Sequence, residues 1–297
     1  MLICDTHADT LWKRSREPGA TCDISIETMK NSPDTRIQAL ALFIEPGGMD
    51  TTPTIAQREL AALKEMKQEG WRQIREVEEA RPGEGNFLLT IEGGEIFGDD
   101  PAKVEEYAAL GARIAALTWN GENLLGYPAQ SGSPEGLKPF GWEIVKRMHA
   151  LHIAADISHL NERGAAELMD SGVPPMASHS CCKKLCDHFR NLTDDQLRTL
   201  IRCGGYVGVN FYARFLNVEG KADLDTVIDH IAHICELGGE KHVGLGSDFD
   251  GIDEYPTGLR TAGDVPALLN RMLQRGFDPK GVERVAGGNF AEYMKRI

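Results

Sequence analysis

A chain of 297 residues with 41% hydrophobic content carries enough apolar material for one large α/β barrel or two medium domains. Its formal net charge of −13, from 45 acidic and 32 basic residues, argues against nucleic-acid or anionic-membrane partners, which need clustered positive charge, and stays compatible with multivalent cations. Seven cysteines, with Cys181 and Cys182 adjacent and no CxxC repeat, point to reduced, mostly buried thiols rather than a disulfide framework or a zinc ribbon.

The opening "MLICDTHADT" lacks the basic and apolar regions of a signal peptide, and no apolar run reaches the ~20 residues that span a bilayer. A cytoplasmic protein without membrane contact is expected. "MLICDTH" is the first strand candidate, and Asp5, His7 and Asp9 alternate beyond its apolar start. In an extended segment alternate residues share one side, so three ligand or acid/base groups would face the same way. "IQALALFIE" (37–45) is the second candidate, followed by a stretch (54–80) with apolar residues near helical spacing. "NFLLTIEGG" (86–94), "RIAALTWN" (113–120) and "HIAADISH" (152–159) come next, with "YPAQSGSPEGLKP" (127–139) the most loop-like segment among them. "PPMASHS" (174–180), "GGYVGVNF" (204–211) and "KHVGLGSDFDG" (241–251) complete eight candidates. Thr193-Asp194-Asp195 reads as a helix start, 223–239 as a helix stopped by Gly238-Gly239, and 263–275 and 281–296 as helices closing an outer ring. No linker or charge block divides the chain. Strands alternating with helices in this number predict a single (β/α)8 TIM barrel over residues 1–297.

Seven of the eight candidates end in polar groups: Asp5, His7 and Asp9; Glu92; Trp119-Asn120; Asp156 and Ser158-His159; Ser178-His179-Ser180; Asn210 and Tyr212; Ser247, Asp248 and Asp250. In a parallel barrel these ends converge on one mouth. Histidine nitrogens and carboxylates without thiolates suit Zn²⁺ or a similar divalent ion in an open catalytic site. The set exceeds what one catalytic zinc needs and matches two metals about 3.5–4 Å apart, with a carboxylate bridging. Glu92 is the natural bridge, because the glycines beside it let backbone and metal approach closely. A water shared by two metals becomes hydroxide near neutral pH and attacks an amide or ester carbonyl. Asp248 is placed to manage the proton and Arg190 to hold a substrate carboxylate in a bidentate grip.

The ordered motifs D-x-H-x-D, E-G-G, L-T-x-N, D-x-S-H, S-H-S, R-N, V-N-F-Y and G-S-D-F-D-G, from residue 3 to about 251, resemble the renal (membrane) dipeptidase family, peptidase family M19. The resemblance implies a TIM barrel of metallo-dependent hydrolase type and a binuclear zinc dipeptidase, with two Zn²⁺ per chain, acting on dipeptides (L-D dipeptides included) through a metal-bridging hydroxide. It implies His7 and Asp9 as ligands of one zinc, Glu92 as the bridge, and His159 and His179 as ligands of the second. It implies Arg190 as the anchor of the substrate's terminal carboxylate, Asp248 rather than Asp250 as the acid/base group, and Tyr212 as a pocket wall. Asp5 is expected to support the cluster. One departure is Trp119, where mammalian members carry a histidine that polarises the scissile carbonyl. Trp119 or Asn120 would have to replace that donor, or metal coordination would do most of the work. His149, His152, His188, His230, His233 and His242 lack strand-end context and are expected at the surface or behind the site. The competing expectations are another binuclear amidohydrolase, acting on a lactone, cyclic amide or N-acyl amino acid, and a metal- or ligand-binding homologue with little turnover. The expected partner is a small dipeptide substrate, and formation of a homo-oligomer is left open.

Overall fold

The computed structural model describes residues 1–45 and 51–297. Among them, nine strands run in chain order: β1 (Leu2–Asp5), β2 (Thr35–Phe43), β3 (Trp71–Ile74), β4 (Gly85–Glu92), β5 (Ala112–Ala116), β6 (Ala154–Asp156), β7 (Met176–Ala177), β8 (Tyr206–Val209) and β9 (Val243–Leu245). All pairings are parallel, and β1-β2-β4-β5-β6-β7-β8-β9 closes on itself through the β1–β9 pair. Each of the eight barrel strands overlaps one of the eight segments expected from sequence, and helices lie between them, as in a (β/α)8 barrel.

The ninth strand is a departure. Residues 54–80 read as helical, yet the helix Thr52–Gln68 ends at Glu69-Gly70, where Gly70 takes φ 97°, and β3 follows. β5 pairs only with Leu89–Glu92 of β4, so the lower edge of β4 is free; β3 fills it, pairing with Gly85–Leu88. An uncovered edge invites unwanted pairing, and four residues suffice to cover this one.

The last helix is a second departure. Phe290, Tyr293 and Met294 of Asn289–Met294 join Cys4, Ile37, Leu88, Ile114, Met176 and Tyr206 in one apolar cluster. This helix therefore plugs the floor of the barrel as well as completing its ring. Tyr206 meets Phe290 and Tyr293 at ring distances of 5.5 and 5.9 Å. Gly244 makes room for it, since a Cβ there would lie 2.2 Å from the Tyr206 hydroxyl. Each such fully buried aromatic contributes about 1.5–3 kcal/mol.

Thr193 and Gln196 form a reciprocal cap on the helix Asp194–Arg202, and Asp223 caps Leu224–Ile234. The seven cysteines are unpaired. Among the described residues, no helix is long and apolar enough to cross a membrane.

Candidate metal centre

The mouth of the barrel is laced together beyond the last strand pairs. Asp5, at the end of β1, accepts a hydrogen bond from the Ser247 amide at 2.8 Å and from the His7 amide at 3.4 Å, and also binds the Ser247 hydroxyl. Ala8 pairs with Phe249, and the Asp248 amide donates to the His7 carbonyl at 3.1 Å. Asp5 thus acts as a strut, bringing the segments that carry His7 and Asp248 side by side. His159 and Asp248 adopt left-handed backbone at φ 67° and 66°. Such conformations cost about 1–3 kcal/mol for non-glycine residues and persist where surrounding structure enforces them, commonly at functional sites.

Five side chains expected at the mouth converge around Glu92. Its Oε1 lies 2.9 Å from His159 Nε2 and 3.3 Å from His179 Nε2, while its Oε2 lies 3.4 Å from His7 Nε2. His7 Nε2 is 3.7 Å from both Asp9 Oδ1 and Asp248 Oδ1. The rings of His7 and His179 stack at 3.8 Å. All six residues are buried or nearly so.

The protons on two of these histidines can be placed from their outer partners. Ser178 donates its hydroxyl to Asp156, so Ser178 Oγ accepts from His179 Nδ1 at 2.7 Å. Asn120 Oδ1 is an acceptor, so His159 Nδ1 donates to it at 3.0 Å. Both rings then turn bare Nε2 lone pairs inward, 3.0 Å from each other and facing the Glu92 carboxylate. Lone pairs crowded together in this way repel unless a cation lies among them. His7 Nε2 and Asp9 Oδ1 are, in addition, buried without any hydrogen-bond partner. The donor set, nitrogen and carboxylate oxygen, fits Zn²⁺ or a similar ion, and ligand atoms gather within 4.8 Å of one another in two overlapping groups, His7 with Glu92 and His179, and His7 with Asp9 and Asp248.

The electrostatics agree. Burial works against protonation of His7, but Glu92, Asp9 and Asp248 outweigh it and raise its pKa to about 10. Burial, reinforced by Arg190, lowers His159 to about 4, and burial with the neighbouring His7 keeps His179 well below its usual value. Burial raises Asp9 well above the carboxylate range and Asp248 to about 6. Glu92 stays ionised against the same burial, held chiefly by the neighbouring His7 cation. In the metal-free chain a proton on His7 balances the carboxylates. Metal ligands must be deprotonated, so zinc binding near pH 8 is expected to release a proton, and affinity should rise with pH up to about 10. Calorimetry in buffers of different ionisation enthalpy measures this; binding without proton release would count against His7 as a ligand.

The outer contacts carry their own expectation. Asp156 Oδ1 accepts from the Ser158 and Ser178 amides at 2.8 and 3.0 Å, so the Asp156–Ser178–His179 chain is anchored to backbone. Ser178→Ala should weaken metal binding about 10–100-fold without unfolding the barrel, measured by competition with a chelator.

The glycines after Glu92 do something other than admit a metal. Gly93 takes φ 102°, and a Cβ on Gly94 would lie 2.4 Å from the Leu117 carbonyl, so the pair serves a tight turn packed on the next strand. Asp250 faces away from the cluster, bonded to Thr10 at 2.6 Å, Lys13 at 2.9 Å and the Asp23 amide at 2.7 Å. Asn120 accepts from His159 through Oδ1, so only its Nδ2 is left to serve as a replacement carbonyl donor. Trp119 stands edge-on to Phe43 at 5.0 Å, and Phe43 meets Trp12 at 6.0 Å, forming an aromatic wall. The metal cleft, about 470 Å³, is lined by this wall, Tyr212, Phe215 and Ile252.

Arg190 is buried, its guanidinium 5.5 Å from the Phe215 ring and its Nη2 donating to the His179 carbonyl at 3.3 Å. It opens onto a neighbouring cavity rather than the cleft. The remaining histidines include structural ones: His230 bridges the Cys182 amide and the Leu216 carbonyl, at 3.0 Å each, and His233 pairs with Asp194 at 2.8 Å. Sequence reasoning missed Trp12, Phe43 and Phe215 in the cleft, since an aromatic residue in a helix or apolar strand looks like core. It also missed Asn210 as the group orienting Asp248, to which it donates at 2.9 Å.

Comparison with known proteins bears on this geometry. The family model described as membrane dipeptidase (peptidase family M19) matches residues 1–297. An uncharacterized protein from the pqqA 5′ region of Klebsiella pneumoniae is 33% identical over 222 residues, 71% of this chain and 82% of that protein. An uncharacterized dipeptidase of Schizosaccharomyces pombe is 35% identical over 213 residues, 70% of this chain but only 52% of its own, so the match spans about half of that relative. Among solved structures, dipeptidase AC, a metallopeptidase of family M19, has TM-score 0.90 and 27% identity, covering 100% of this chain and 98% of that one. A Rhodobacter sphaeroides metallopeptidase liganded with a phosphinate mimic of the dipeptide L-Ala-D-Ala has TM-score 0.90 and 26% identity, covering 100% and 99%.

Proposed function

The chain belongs to the membrane dipeptidase family, peptidase family M19, whose enzymes are metallo-dipeptidases, and we propose that this one cleaves dipeptides with two zinc ions held at the cluster around Glu92. His7 and Asp9 would hold one ion and His159 and His179 the other, with Glu92 as the ligand common to both. The inward Nε2 lone pairs of His159 and His179, facing an ionised carboxylate, carry the reading. Bound zinc supplies Lewis-acid polarisation of a carbonyl and acidification of water, the work that a histidine at the Trp119 position shares in mammalian members.

The chain's own groups do the rest. Asp248, buried, hydrogen-bonded by Asn210 and with its pKa raised to about 6, takes the proton of the attacking water and passes it to the leaving amine. Arg190, a buried cation without a carboxylate partner in hydrogen-bond contact, binds the terminal carboxylate of the dipeptide. Trp12, Phe43 and Trp119 shield the reacting bond from bulk water, and Tyr212 lines the same cleft. The R. sphaeroides neighbour with its L-Ala-D-Ala mimic supports extending the substrate range to L-D dipeptides.

Arg190→Ala should raise KM for dipeptides at least about tenfold, with metal content unchanged, because it removes a charge-assisted contact to substrate and no ligand. Steady-state kinetics with elemental analysis checks this. The reading as a whole is tested by assaying zinc-loaded protein on free-amine L-L and L-D dipeptides against N-acetylated dipeptides. Hydrolysis confined to free-amine dipeptides supports it. Cleavage of blocked substrates alone would indicate another amidohydrolase, and metal without turnover a binding protein.

A further inference from the structure

Beside the metal cleft lies a second cavity of about 250 Å³, lined by Ser133, Asn161, Lys183, Arg190, Asn191 and Gln196 among others. The two cavities share one segment: His159 lines the cleft, while Ile157, Leu160 and Asn161 line its neighbour. Arg190 and Asn191 are each 4% exposed, and Arg190 Nε and Asn191 Oδ1 have no hydrogen-bond partner. The cavity is thus walled by polar residues, with Asn161, Lys183 and Gln196 beside Arg190 and Asn191, and suits a polar occupant.

The charges of the two cavities are opposite. Asp9, Glu45, Glu92, Asp248, Asp250 and Asp253 line the cleft without a lysine or arginine, whereas Lys183 and Arg190 line the second cavity against Glu162 alone. Glu162 stands 3.7 Å from Lys183, but its side chain is 72% exposed, so water screens the pair and Lys183 remains available to a more enclosed anion. The loop that covers the cavity is fixed: Asn161 Nδ2 donates to the Ser133 and Glu135 carbonyls at 3.1 and 2.8 Å, and the Ala129 amide donates to the His159 carbonyl at 2.7 Å. A preformed pocket of this kind costs little to fill.

We infer that this cavity is the subsite for the side chain of the substrate's C-terminal residue, and that it selects an acidic side chain through Lys183. The inference rests on the dipeptidase reading: with the terminal carboxylate on Arg190, the side chain on the same carbon enters the cavity that Arg190 lines. Arg190 then serves the main-chain carboxylate, Lys183 the side-chain carboxylate, and Asn191 and Gln196 add polar contacts.

The test compares kcat/KM of the zinc-loaded full chain on Ala-Glu, Ala-Gln, Ala-Leu and Ala-Lys, each in L-L and L-D form. Ala-Glu is expected to exceed Ala-Gln by about tenfold, the scale of one partly enclosed charge-assisted hydrogen bond, and Ala-Lys to be poorest. In Lys183→Met the Glu-to-Gln ratio should fall to near one, and Lys183→Glu should shift preference towards Ala-Lys. Lys183 is a partly exposed side chain, so both variants should fold. A wild-type Glu-to-Gln ratio near one, or a ratio that survives both substitutions, overturns the subsite while leaving the dipeptidase reading intact. Turnover of no dipeptide overturns the dipeptidase reading, and the subsite with it.

Discussion

Replacing His7 or His179 with alanine is expected to remove bound metal and activity together while the barrel stays folded. Each residue turns Nε2 into the cluster, 3.4 and 3.3 Å from the two oxygens of Glu92, so on the proposed reading each substitution deletes a ligand and not merely a contact. Loss of kcat/KM by at least about a thousandfold, ~4 kcal/mol at the transition state, is expected. The fold should survive because its apolar floor and outer shell lie away from the mouth, and water can occupy the polar space a lost imidazole leaves. The two variants should nevertheless differ without metal. His7 is the cation that balances Glu92, Asp9 and Asp248 in metal-free protein, so His7→Ala leaves three buried carboxyl groups without it. His179 is neutral there, and its loss leaves the His7–Glu92 pair in place. Metal-free His7→Ala should therefore melt below metal-free His179→Ala at neutral pH, and the gap should narrow on acidification as the carboxylates protonate. Elemental analysis and thermal melts across pH check both statements.

Asp248→Asn is expected to cost about 10²–10⁴-fold in kcat with metal still bound, the range for loss of a general acid/base group. The substitution is well suited to isolating chemistry from folding. Asparagine tolerates the left-handed backbone that position 248 adopts at φ 66° almost as readily as aspartate. Its amide oxygen can still accept the hydrogen bond that Asn210 now donates to Asp248. What disappears is the capacity to take up and release a proton. Unchanged kcat would remove Asp248 from the reaction. A parallel loss of zinc would instead assign it to the metal, which its place within 3.7 Å of His7 Nε2 makes a real alternative outcome.

Much of this site is legible in the sequence because a parallel barrel maps strand C-termini onto one mouth. His7, Glu92, His159, His179 and Asp248 are far apart in the chain, yet each follows an apolar run within a few residues, and the topology brings them together. The eight barrel strands were readable for the same reason, since short apolar segments alternate with helical ones. What escaped depends on contacts that periodicity does not encode. Strand β3 is four residues long and continues the apolar spacing of the helix before it, so nothing local separates the two. The last helix looks like any amphipathic ring helix, and its role as a floor follows only from Tyr206 reaching down to Phe290 and Tyr293. Asn120, a candidate carbonyl donor by position, also orients His159 by accepting from a ring nitrogen whose direction no sequence pattern reports. Arg190 stands out in the sequence as the proposed carboxylate anchor, whereas its opening onto a separate cavity does not, because that depends on the 127–139 loop folding over it.

Diffraction from zinc-loaded crystals at the zinc absorption edge tests the central claim most directly. Two anomalous peaks are predicted, one contacting His7 and Asp9, the other His159 and His179, with Glu92 touching both. A single peak, or peaks that leave Glu92 uncoordinated, would contradict a binuclear centre bridged by that residue.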